Sequence, residues 1–502
     1  MRKIYTQFTY MGWVNMEKTK GFKDIVFGKA AAENEKSRRY RKLLLDGFLD
    51  DYGYTNLLLY DEKFLVLGLK GSGKSAIAAR LELLAEQSDD FIVTNYDLST
   101  EFPHKLFSKL LNLHENEAQL TKFQYYWEYL ILLVFIESFS KDDSATYSNR
   151  EQYKLLLKVM EQLELMPTMS FTNLVTKLKA EDFEANLNNA LSTIKGSKKG
   201  LSTIFNLLRE ICYSISVKRK HLLIIDGLDS LMTQQIKQNN IIASLVVVSD
   251  AINRHFLEND INAKIILLCR TDLFDILPGA NLNKIKQDSA IILNWYQEGV
   301  PANSTNLIKM INLRIRTSIG YDTDIFEFFP GSIQSGSLTV KTLLDHTRYR
   351  PRDLIALLNY IQTTTEGNLK PAHYEVLAGI MQYSREFLLS EIKNELYGFL
   401  NDDEREKSMK LLSLMNKSTF NFEEIENIKN ADTRFQKLDT IRILQALFDC
   451  GAILNFRKDE SGVYIYTSKI RNPTACFDPH QSIRIMRGLW KTFNFREDDD
   501  TY

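Results

Sequence analysis

The 502-residue sequence has few cysteines and no excess of charge of either sign. Its four cysteines lie far apart, without a CxxC pair or a Cys/His cluster, which argues against a zinc site and favours a reduced, cytosolic protein. The 63 Lys and Arg residues balance 64 Asp and Glu residues. Net charge therefore gives no argument for binding to nucleic acid or membrane, and any basic surface must be local.

Long hydrophobic runs are also missing. The longest run of interest, Tyr129–Ile136, lies between Glu128 and Glu137, whereas a membrane-spanning helix needs about 20 apolar residues. The run therefore predicts a buried helix. The N-terminus carries Arg2 and Lys3 but not the apolar stretch of a signal peptide. We expect a soluble, cytoplasmic protein without membrane partners.

Five short apolar runs predict the strands of a sheet. They are Phe64–Leu67, Phe91–Tyr96, Leu222–Ile225, Lys264–Cys269 and Ala290–Leu293. Each run is nearly continuous rather than alternating, which is typical of a parallel sheet covered on both faces. Upstream of them, residues 28–50 carry a charged helical pattern. The sequence thus predicts an α/β fold.

The length suggests two to four domains. We predict an N-terminal helical segment at 1–50 and an α/β core at 51–298. Within this core, helical periodicity at about 103–217 is too long for one crossover and indicates a helical insertion. A helical lid at 299–380 and a C-terminal domain at 381–502 complete the predicted organisation.

A phosphate-binding loop is the most specific motif. Residues Gly68–Ser75 fit G-x-x-x-x-G-K-S/T between a predicted strand and a predicted helix. Glycines let consecutive backbone N–H groups point at phosphate oxygens, Lys74 supplies a cation to the β and γ phosphates, and Ser75 supplies a hydroxyl to Mg²⁺. The predicted nucleotide-binding residues are Gly68, Gly71, Ser72, Gly73, Lys74, Ser75 and Ala76. We therefore expect ATP and Mg²⁺ as ligands.

An aspartate at the end of another predicted strand completes the predicted metal site. Asp226 follows four aliphatic residues, the Walker B arrangement, and is expected to hold Mg²⁺. The glutamate that often comes next is replaced by Gly227. Asp229 either positions the attacking water or caps the following helix. Hydrolysis is therefore less firmly predicted than binding.

Polar residues that sense the γ-phosphate are expected at two further places. Arg270 or Thr271 follows the predicted strand Lys264–Cys269, although this position also fits an exposed strand end. Further on, Arg350 and Arg352 lie at the start of an amphipathic helix. Arginines at a lid helix are suited to gripping phosphates, and the sequence does not choose between these two.

The C-terminal region predicts three short helices followed by a hairpin. The helices are Asp403–Met415, Phe422–Ile428 and Leu438–Phe448, and the strands are Ala452–Phe456 and Val463–Tyr466. This order indicates a winged helix. The candidate phosphate contacts are Arg457, Lys458, Lys469, Arg471, Arg484 and Arg487. The presumed recognition helix has only Arg442 as a basic residue, which favours packing against the ATPase or a partner over DNA binding.

Together these motifs resemble the additional-strand P-loop ATPases, between initiator-type AAA+ proteins and STAND NTPases. A closer resemblance is to the bacterial FunZ-type P-loop ATPases. The matching segments are Phe27–Gly28, Ala31–Glu33, Gly71–Ser75, Asp226–Asp229, Arg270–Asp272, Arg350–Asp353, Arg471–Pro473 and Arg487–Leu489. The resemblance implies a P-loop NTPase with a parallel five-stranded sheet in the order 5-1-4-3-2. It also implies a nucleotide-driven machine or switch, found among genes that include anti-phage defence.

Two functions compete on the sequence alone. One is a nucleotide-gated switch or assembly module that forms a homo-oligomer, hydrolyses ATP slowly and licenses a separate effector protein. The other is an ATP-driven motor that binds or remodels DNA. Gly227, and the failure to recognise a His/Asp/Ser triad or paired metal carboxylates elsewhere, favour the switch.

Overall fold

The computed structural model describes residues 20–98, 119–163, 186, 201–228, 236–279, 281–329, 340–397 and 399–495. The first part of the core contains α1 (Arg41–Leu45), α2 (Tyr54–Tyr60), β1 (Leu65–Gly68), α3 (Lys74–Gln87) and β2 (Phe91–Asp97). The inserted part contains α4 (Gln119–Ser140), β3 (Thr146–Tyr147), α5 (Arg150–Gln162), α6 (Leu201–Cys212) and β4 (Ile215–Ser216). The core then continues with β5 (Lys220–Asp226), α7 (Ile236–Glu258), β6 (Ala263–Cys269), α8 (Thr271–Phe274), α9 (Leu282–Ser289) and β7 (Ala290–Leu293).

A parallel five-stranded sheet forms the centre of the core, as predicted. Its order is β2-β5-β6-β1-β7, and every neighbouring pair is parallel. Buried apolar side chains cover both faces, which explains the continuous apolar runs in the sequence. Because the strands are parallel, the carboxyl ends of β1, β2 and β5 lie at one edge.

The described part of the inserted region is mainly helical. The apolar run Tyr129–Ile136 lies inside α4 and is buried, which confirms the predicted buried helix. A short antiparallel ribbon of β3 and β4 accompanies the helices. The rest of the predicted insertion lies outside the described residues. None of the described helices is long and apolar enough to cross a membrane.

The predicted helix at residues 28–50 is wrong. This stretch contains a 3-10 turn at Ala32–Lys36 and the five-residue α1. Gly28 has a φ of 111°, which breaks helical geometry before the turn. The buried Glu35 then accepts a hydrogen bond from the Lys29 N–H at 2.7 Å and pairs with Arg314 at 2.9 Å. These tertiary contacts outweigh the local helical pattern.

The lid is helical. Its described helices are α10 (Asn306–Ile319), α11 (Val340–Asp345), α12 (Pro351–Thr364) and α13 (His373–Gln382), and α14 (Leu389–Leu396) follows beyond the predicted boundary at residue 380. A π-helical segment, Tyr383–Leu388, joins α13 to α14. Pro351 opens α12 and Asp353 lies in its first turn, a favourable helix start.

The C-terminal region contains α15 (Asp402–Ser413), β8 (Thr419–Phe420), α16 (Phe422–Ala431), α17 (Thr440–Asp449), β9 (Ile453–Lys458), β10 (Tyr464–Thr467), β11 (Ser482–Ile485) and α18 (Trp490–Phe493). The three predicted helices and the predicted hairpin are all present. The hairpin belongs to a four-stranded antiparallel sheet in the order β10-β9-β11-β8. One apolar core joins this region to the lid and to residues near Phe22.

Candidate functional site

The P-loop connects β1 to α3 at the carboxyl edge of the sheet. Gly71 and Gly73 have φ angles of 81° and 102°, a left-handed conformation that glycine adopts without strain. A Cβ on Gly71 would lie 3.1 Å from the Cβ of Arg352, so the loop also packs closely on the lid. The loop backbone thus curls around the start of α3, where N–H groups are available to an anion.

Lys74 is folded over the loop. Its Nζ donates to the carbonyl of Gly68 at 2.9 Å and to the carbonyl of Leu69 at 3.3 Å, and the residue is buried. Ala76, in the first turn of α3, is buried as well. The ammonium group therefore lies where phosphate oxygens would contact the loop.

Ser75 and Asp226 meet at the predicted metal position. The hydroxyl of Ser75 donates to Oδ2 of Asp226 at 2.7 Å, while Oδ1 accepts the N–H of Gly227 at 2.7 Å. A hydroxyl and a carboxylate are the hard oxygen ligands that Mg²⁺ takes alongside phosphate oxygens and water. The two side chains therefore fit a magnesium site.

The P-loop opens into a cavity of about 290 Å³. Its walls come from the N-terminal segment, the P-loop, the end of β7, α10 and α12. One end is polar and contains the P-loop, Asp97 and Asp226. Apolar side chains also line the cavity, namely Phe48, Leu49, Met310 and Ile355. The wall thus combines charged and apolar side chains, which suits a small molecule with a charged part and an apolar part.

Two wall contacts were not anticipated from the sequence. The indole N–H of Trp295 donates to the carbonyl of Ser72 at 2.8 Å, which ties the chain after β7 to the P-loop. Arg314 binds both carboxylate oxygens of Glu35 at 2.9 and 3.1 Å, and both residues line the cavity. Neither pair has a sequence signature, because the partners lie far apart in the chain.

The two lid arginines have different positions. Arg352 lines the cavity; its backbone N–H donates to Gly71 at 3.3 Å and its Nε donates to Ala30 at 2.9 Å. Arg350 is buried and is not among the described residues that line the cavity. Its guanidinium donates to the carbonyl of Lys70 at 3.0 Å and to Glu395 at 2.7 Å. Arg350 therefore holds the P-loop through the Lys70 carbonyl without lining the cavity.

Helix α14 supplies two carboxylates to this region. Glu395 accepts hydrogen bonds from Arg348 at 2.6 Å and from Arg350 at 2.7 Å. Glu391 lies 3.6 Å from the Lys70 ammonium group and 3.3 Å from Arg352. Burial by itself raises the pKa of Glu395, but the two arginines beside it lower that pKa to about 2. Its carboxylate is therefore charged in the folded protein at neutral pH.

At the end of β6, the side chain of Arg270 pairs with a residue close to it in the sequence. Arg270 forms two contacts with Asp272, at 3.0 and 2.5 Å, and Thr271 is buried at the start of α8. Neither residue is among the described residues that line the cavity. Asp229, the predicted water-positioning group, lies outside the described residues.

A buried Ser–His–Asp chain was not recognised in the sequence. The Ser138 hydroxyl lies 2.8 Å from Nδ1 of His221, and Nε2 of His221 lies 3.0 Å from Asp142. The exposed fractions of these residues are 5%, 0% and 5%. Burial lowers the pKa of His221, although the hydrogen bond to Asp142 opposes this. Because no member is accessible, we assign the chain a structural role in joining α4 to β5.

Most candidate phosphate contacts of the C-terminal region have internal partners. Arg471 stacks on Tyr296 of the core and on Tyr466 of β10, at 5.5 and 5.1 Å. Arg484 lies over Trp490, and Lys469 donates to the carbonyl of Pro473. Arg487 also lies near the ring of Trp490.

The basic residue of the predicted recognition helix has internal partners too. On α17, Arg442 donates to Glu404 and to the carbonyl of residue 399. The exposed Arg457 and Lys458 lie at the end of β9.

Comparison with known families finds a match in the lid. Residues 305–390 match the model of the FunZ-associated C-terminal helical domain. This range covers α10 to the start of α14, including Arg350 and Arg352. The match supports the FunZ-type resemblance over this part of the chain.

Comparisons with individual proteins find more distant similarity. A transposon gamma-delta 80.3 kDa protein of Escherichia coli (strain K12) is 22% identical over 507 residues, covering 93% of this chain and 67% of that protein. The Aeropyrum pernix ORC1 protein, in complex with DNA, is similar with a TM-score of 0.37 and 11% identity, over 87% of this chain and 92% of its own. The Cdc6p structure of Pyrobaculum aerophilum gives a TM-score of 0.31 and 12% identity, over 87% and 93% of the two chains. Scores this low carry no functional conclusion.

Proposed function

We propose that this chain binds ATP with Mg²⁺ and hydrolyses it slowly as a nucleotide-gated switch. The observation that carries the proposal is the hydrogen bond between Ser75 and Asp226, which line the same cavity as the P-loop glycines and Lys74. A glycine-rich phosphate loop, a lysine and a pair of magnesium ligands are the parts that phosphoryl transfer requires.

Each part has a defined role in this proposal. The triphosphate lies along the P-loop, and Lys74 leaves the Gly68 and Leu69 carbonyls to contact the β and γ phosphates. Ser75 and Asp226 would hold Mg²⁺, which neutralises charge on the phosphate oxygens. The nucleoside takes the apolar part of the cavity, against Phe48 and Met310. Arg352, at the cavity wall, is the lid arginine best placed to contact the γ-phosphate.

Calorimetric titration with ATP tests the binding step. Lys74→Ala is expected to abolish tight binding while leaving the fold intact, because the lysine stabilises phosphate rather than the core. Lys63→Ala is a matched control, since Lys63 is exposed and donates to the carbonyl of Asp288 away from the cavity. Equal ATP affinity in Lys74→Ala and the parent would refute the assignment.

The switch function is supported by the contacts between the P-loop and α14. Lys70 and the lid arginines pair with Glu391 and Glu395, which lie at the entrance to the C-terminal region. A γ-phosphate that attracts Lys70 or Arg352 competes with Glu391 for them. Nucleotide state is thereby coupled to the position of α14. A ligand shifts a conformational equilibrium only through such differences in affinity between states.

We further propose the context of this switch from the FunZ-type resemblance. The chain acts in the cytoplasm, as an additional-strand P-loop ATPase with a winged-helix C-terminal domain. It forms a homo-oligomer and licenses a separate effector in anti-phage defence. The sheet order β2-β5-β6-β1-β7 and the helix-and-hairpin order of the C-terminal region are consistent with these assignments.

A DNA motor is the alternative, favoured by the exposed basic end of β9. Lys458 pairs with the aromatic Tyr464 and its Nζ lies 4.7 Å from the centre of that ring, while Arg457 pairs with Ile465. Basic and aromatic side chains together suit nucleic acid. Steady-state ATP turnover with and without DNA separates the two functions. Turnover above about one per second that rises with DNA would favour the motor.

A further inference from the structure

Asp97 lies beside the predicted metal site although nothing in its sequence context singles it out. It ends β2, which pairs in parallel with β5, and the register places Asp97 opposite Asp226. Both carboxylates lie at the carboxyl edge of the sheet, and both line the cavity together with Ser75. The chain distance between the two aspartates hides this arrangement from the sequence.

The face of the strand on which Asp97 lies supports its position. Asn95, two residues earlier, hydrogen-bonds to Glu82 of α3. Alternate residues of a strand share a face, so Asp97 lies on the α3 side of the sheet. Helix α3 begins at Lys74 near this same edge. Asp97 is thus directed toward the first turns of the helix that follows the P-loop.

Four other described carboxylates also line the cavity. Glu35 is bound by Arg314, and Asp51 lies 3.6 Å from Lys309. Glu33 lies in the 3-10 turn Ala32–Lys36 of the N-terminal segment. Asp226 holds the Ser75 hydroxyl. Asp97 is carried by β2, the strand next to the β5 strand that carries Asp226, and so lies near the Ser75–Asp226 pair.

We infer that Asp97 orients and activates the water that attacks ATP, in place of the acidic residue that Gly227 replaces. This inference rests on the proposed ATPase function. The carboxylate accepts a hydrogen bond from the water. As the water oxygen bonds to the γ-phosphorus, the bond from that phosphorus to the β–γ bridging oxygen breaks, and its electron pair leaves with ADP. The water proton passes to Asp97 and then to inorganic phosphate.

Single-turnover and steady-state hydrolysis of ATP by the full chain test this role. Asp97→Asn is expected to lower kcat by about 100-fold, a typical contribution of a positioned base, without weakening ATP binding measured by calorimetry. Asp97→Glu keeps the carboxylate and is expected to recover part of the rate. Asp90→Asn is the matched control, because Asp90 lies before the opposite end of β2 and accepts from Ser88.

Each outcome separates the inference from the proposed function. If the parent protein binds no ATP, the proposed function fails, and the inference about Asp97 fails with it. If the parent binds and hydrolyses ATP and Asp97→Asn does so at the parent rate, the inference alone is overturned. A parallel fall in ATP affinity and kcat would also overturn it, since Asp97 would then act in binding or folding. Loss of turnover in Asp229→Asn with normal turnover in Asp97→Asn assigns the role to Asp229.

Discussion

The hydroxyl of Ser75 donates to Asp226 from 151 residues away in the chain. This single contact joins the phosphate loop to the strand that carries the metal carboxylate. It also means that a metal entering the site replaces a hydrogen bond already in place. The two oxygens therefore already lie together at the proposed Mg²⁺ site.

Replacing Asp226 by Asn tests this arrangement at the level of one residue. We expect ATP affinity to be largely retained and turnover to lose its dependence on Mg²⁺, because an amide does not neutralise the metal charge as a carboxylate does. Turnover measured across a series of Mg²⁺ concentrations checks this. Asp275→Asn, an exposed carboxylate paired with Lys286, is the control. An unchanged magnesium response would move the metal site elsewhere.

Sequence reasoning identified the residues of the phosphate loop because their roles depend on neighbours in the chain. Gly71 and Gly73 are needed for left-handed backbone, and Lys74 and Ser75 follow directly. The arginines were different. Arg350 and Arg352 are two positions apart on one helix start, yet only Arg352 reaches the cavity. Helix rotation and packing against α14 decide this, and local sequence carries no signal for either.

At the scale of elements, α14 is the connection between the nucleotide site and the C-terminal region. Glu395 lies between two buried arginines, so removing its charge leaves Arg348 and Arg350 without their common partner. Loss of one member of a buried ionic network is costly because the remaining charge stays desolvated. The position of α14 therefore depends on the ionised state of Glu395.

The pH dependence of unfolding follows from the lowered pKa of Glu395. Its folded value of about 2 lies below the ordinary value of 4.5, so the stabilisation is fully present above pH 4.5. It is lost as pH falls from there toward 2, and its size is on the order of 3 kcal/mol. We expect Glu395→Gln to be less stable at neutral pH and to lose less stability over this acid range.

Urea unfolding at several pH values measures this effect. Asp403→Asn serves as the control, because Asp403 is an exposed partner of Lys407 on α15. Parent and Glu395→Gln curves with the same slope between about pH 4.5 and 2 would show that Glu395 does not stabilise the fold through its charge.

The regular elements of the core were predictable to within one or two residues. Each of the five strands is an apolar run bounded by polar residues. Burial of these runs is complete in β1 and β6 and partial in the edge strands β2 and β7, which is the pattern of a covered parallel sheet. The short strands β8 and β11 were missed because two to four residues carry no recognisable period. The N-terminal segment failed for another reason, since the Glu35–Arg314 pair overrides its helical pattern.

At the scale of the whole molecule, the lid and the C-terminal region behave as one body. Their buried side chains form a continuous core that crosses the predicted boundary at residue 380. Arg471 adds a contact between this body and Tyr296 of the α/β core. Side-chain contacts therefore run from the P-loop through α14 and the shared core to the C-terminal region.

Nucleotide-driven assembly is the prediction at this scale. We expect an ATP analogue to increase the sedimenting mass relative to ADP or no nucleotide. Arg352→Ala should weaken this coupling, because Arg352 lines the cavity. Arg350→Ala should mainly lower stability, because Arg350 is buried against Glu395. Arg316→Ala, an exposed change on α10, is the control. One identical mass in all three nucleotide conditions would exclude assembly of the isolated chain.

Local sequence was enough to predict the phosphate loop, the aspartate at the end of the third core strand and the strands of the parallel sheet. These features depend on torsion angles, chain adjacency and continuous apolar runs, all of which are local. Only the tertiary structure decided that Trp295 holds the P-loop, that Glu391 and Glu395 face the lid arginines, and that Asp97 lies opposite Asp226. Those pairings depend on strand register and on helix packing between distant segments. A buried charge or polar group needs a partner, and the packing of the fold decides which distant residue lies close enough to be that partner.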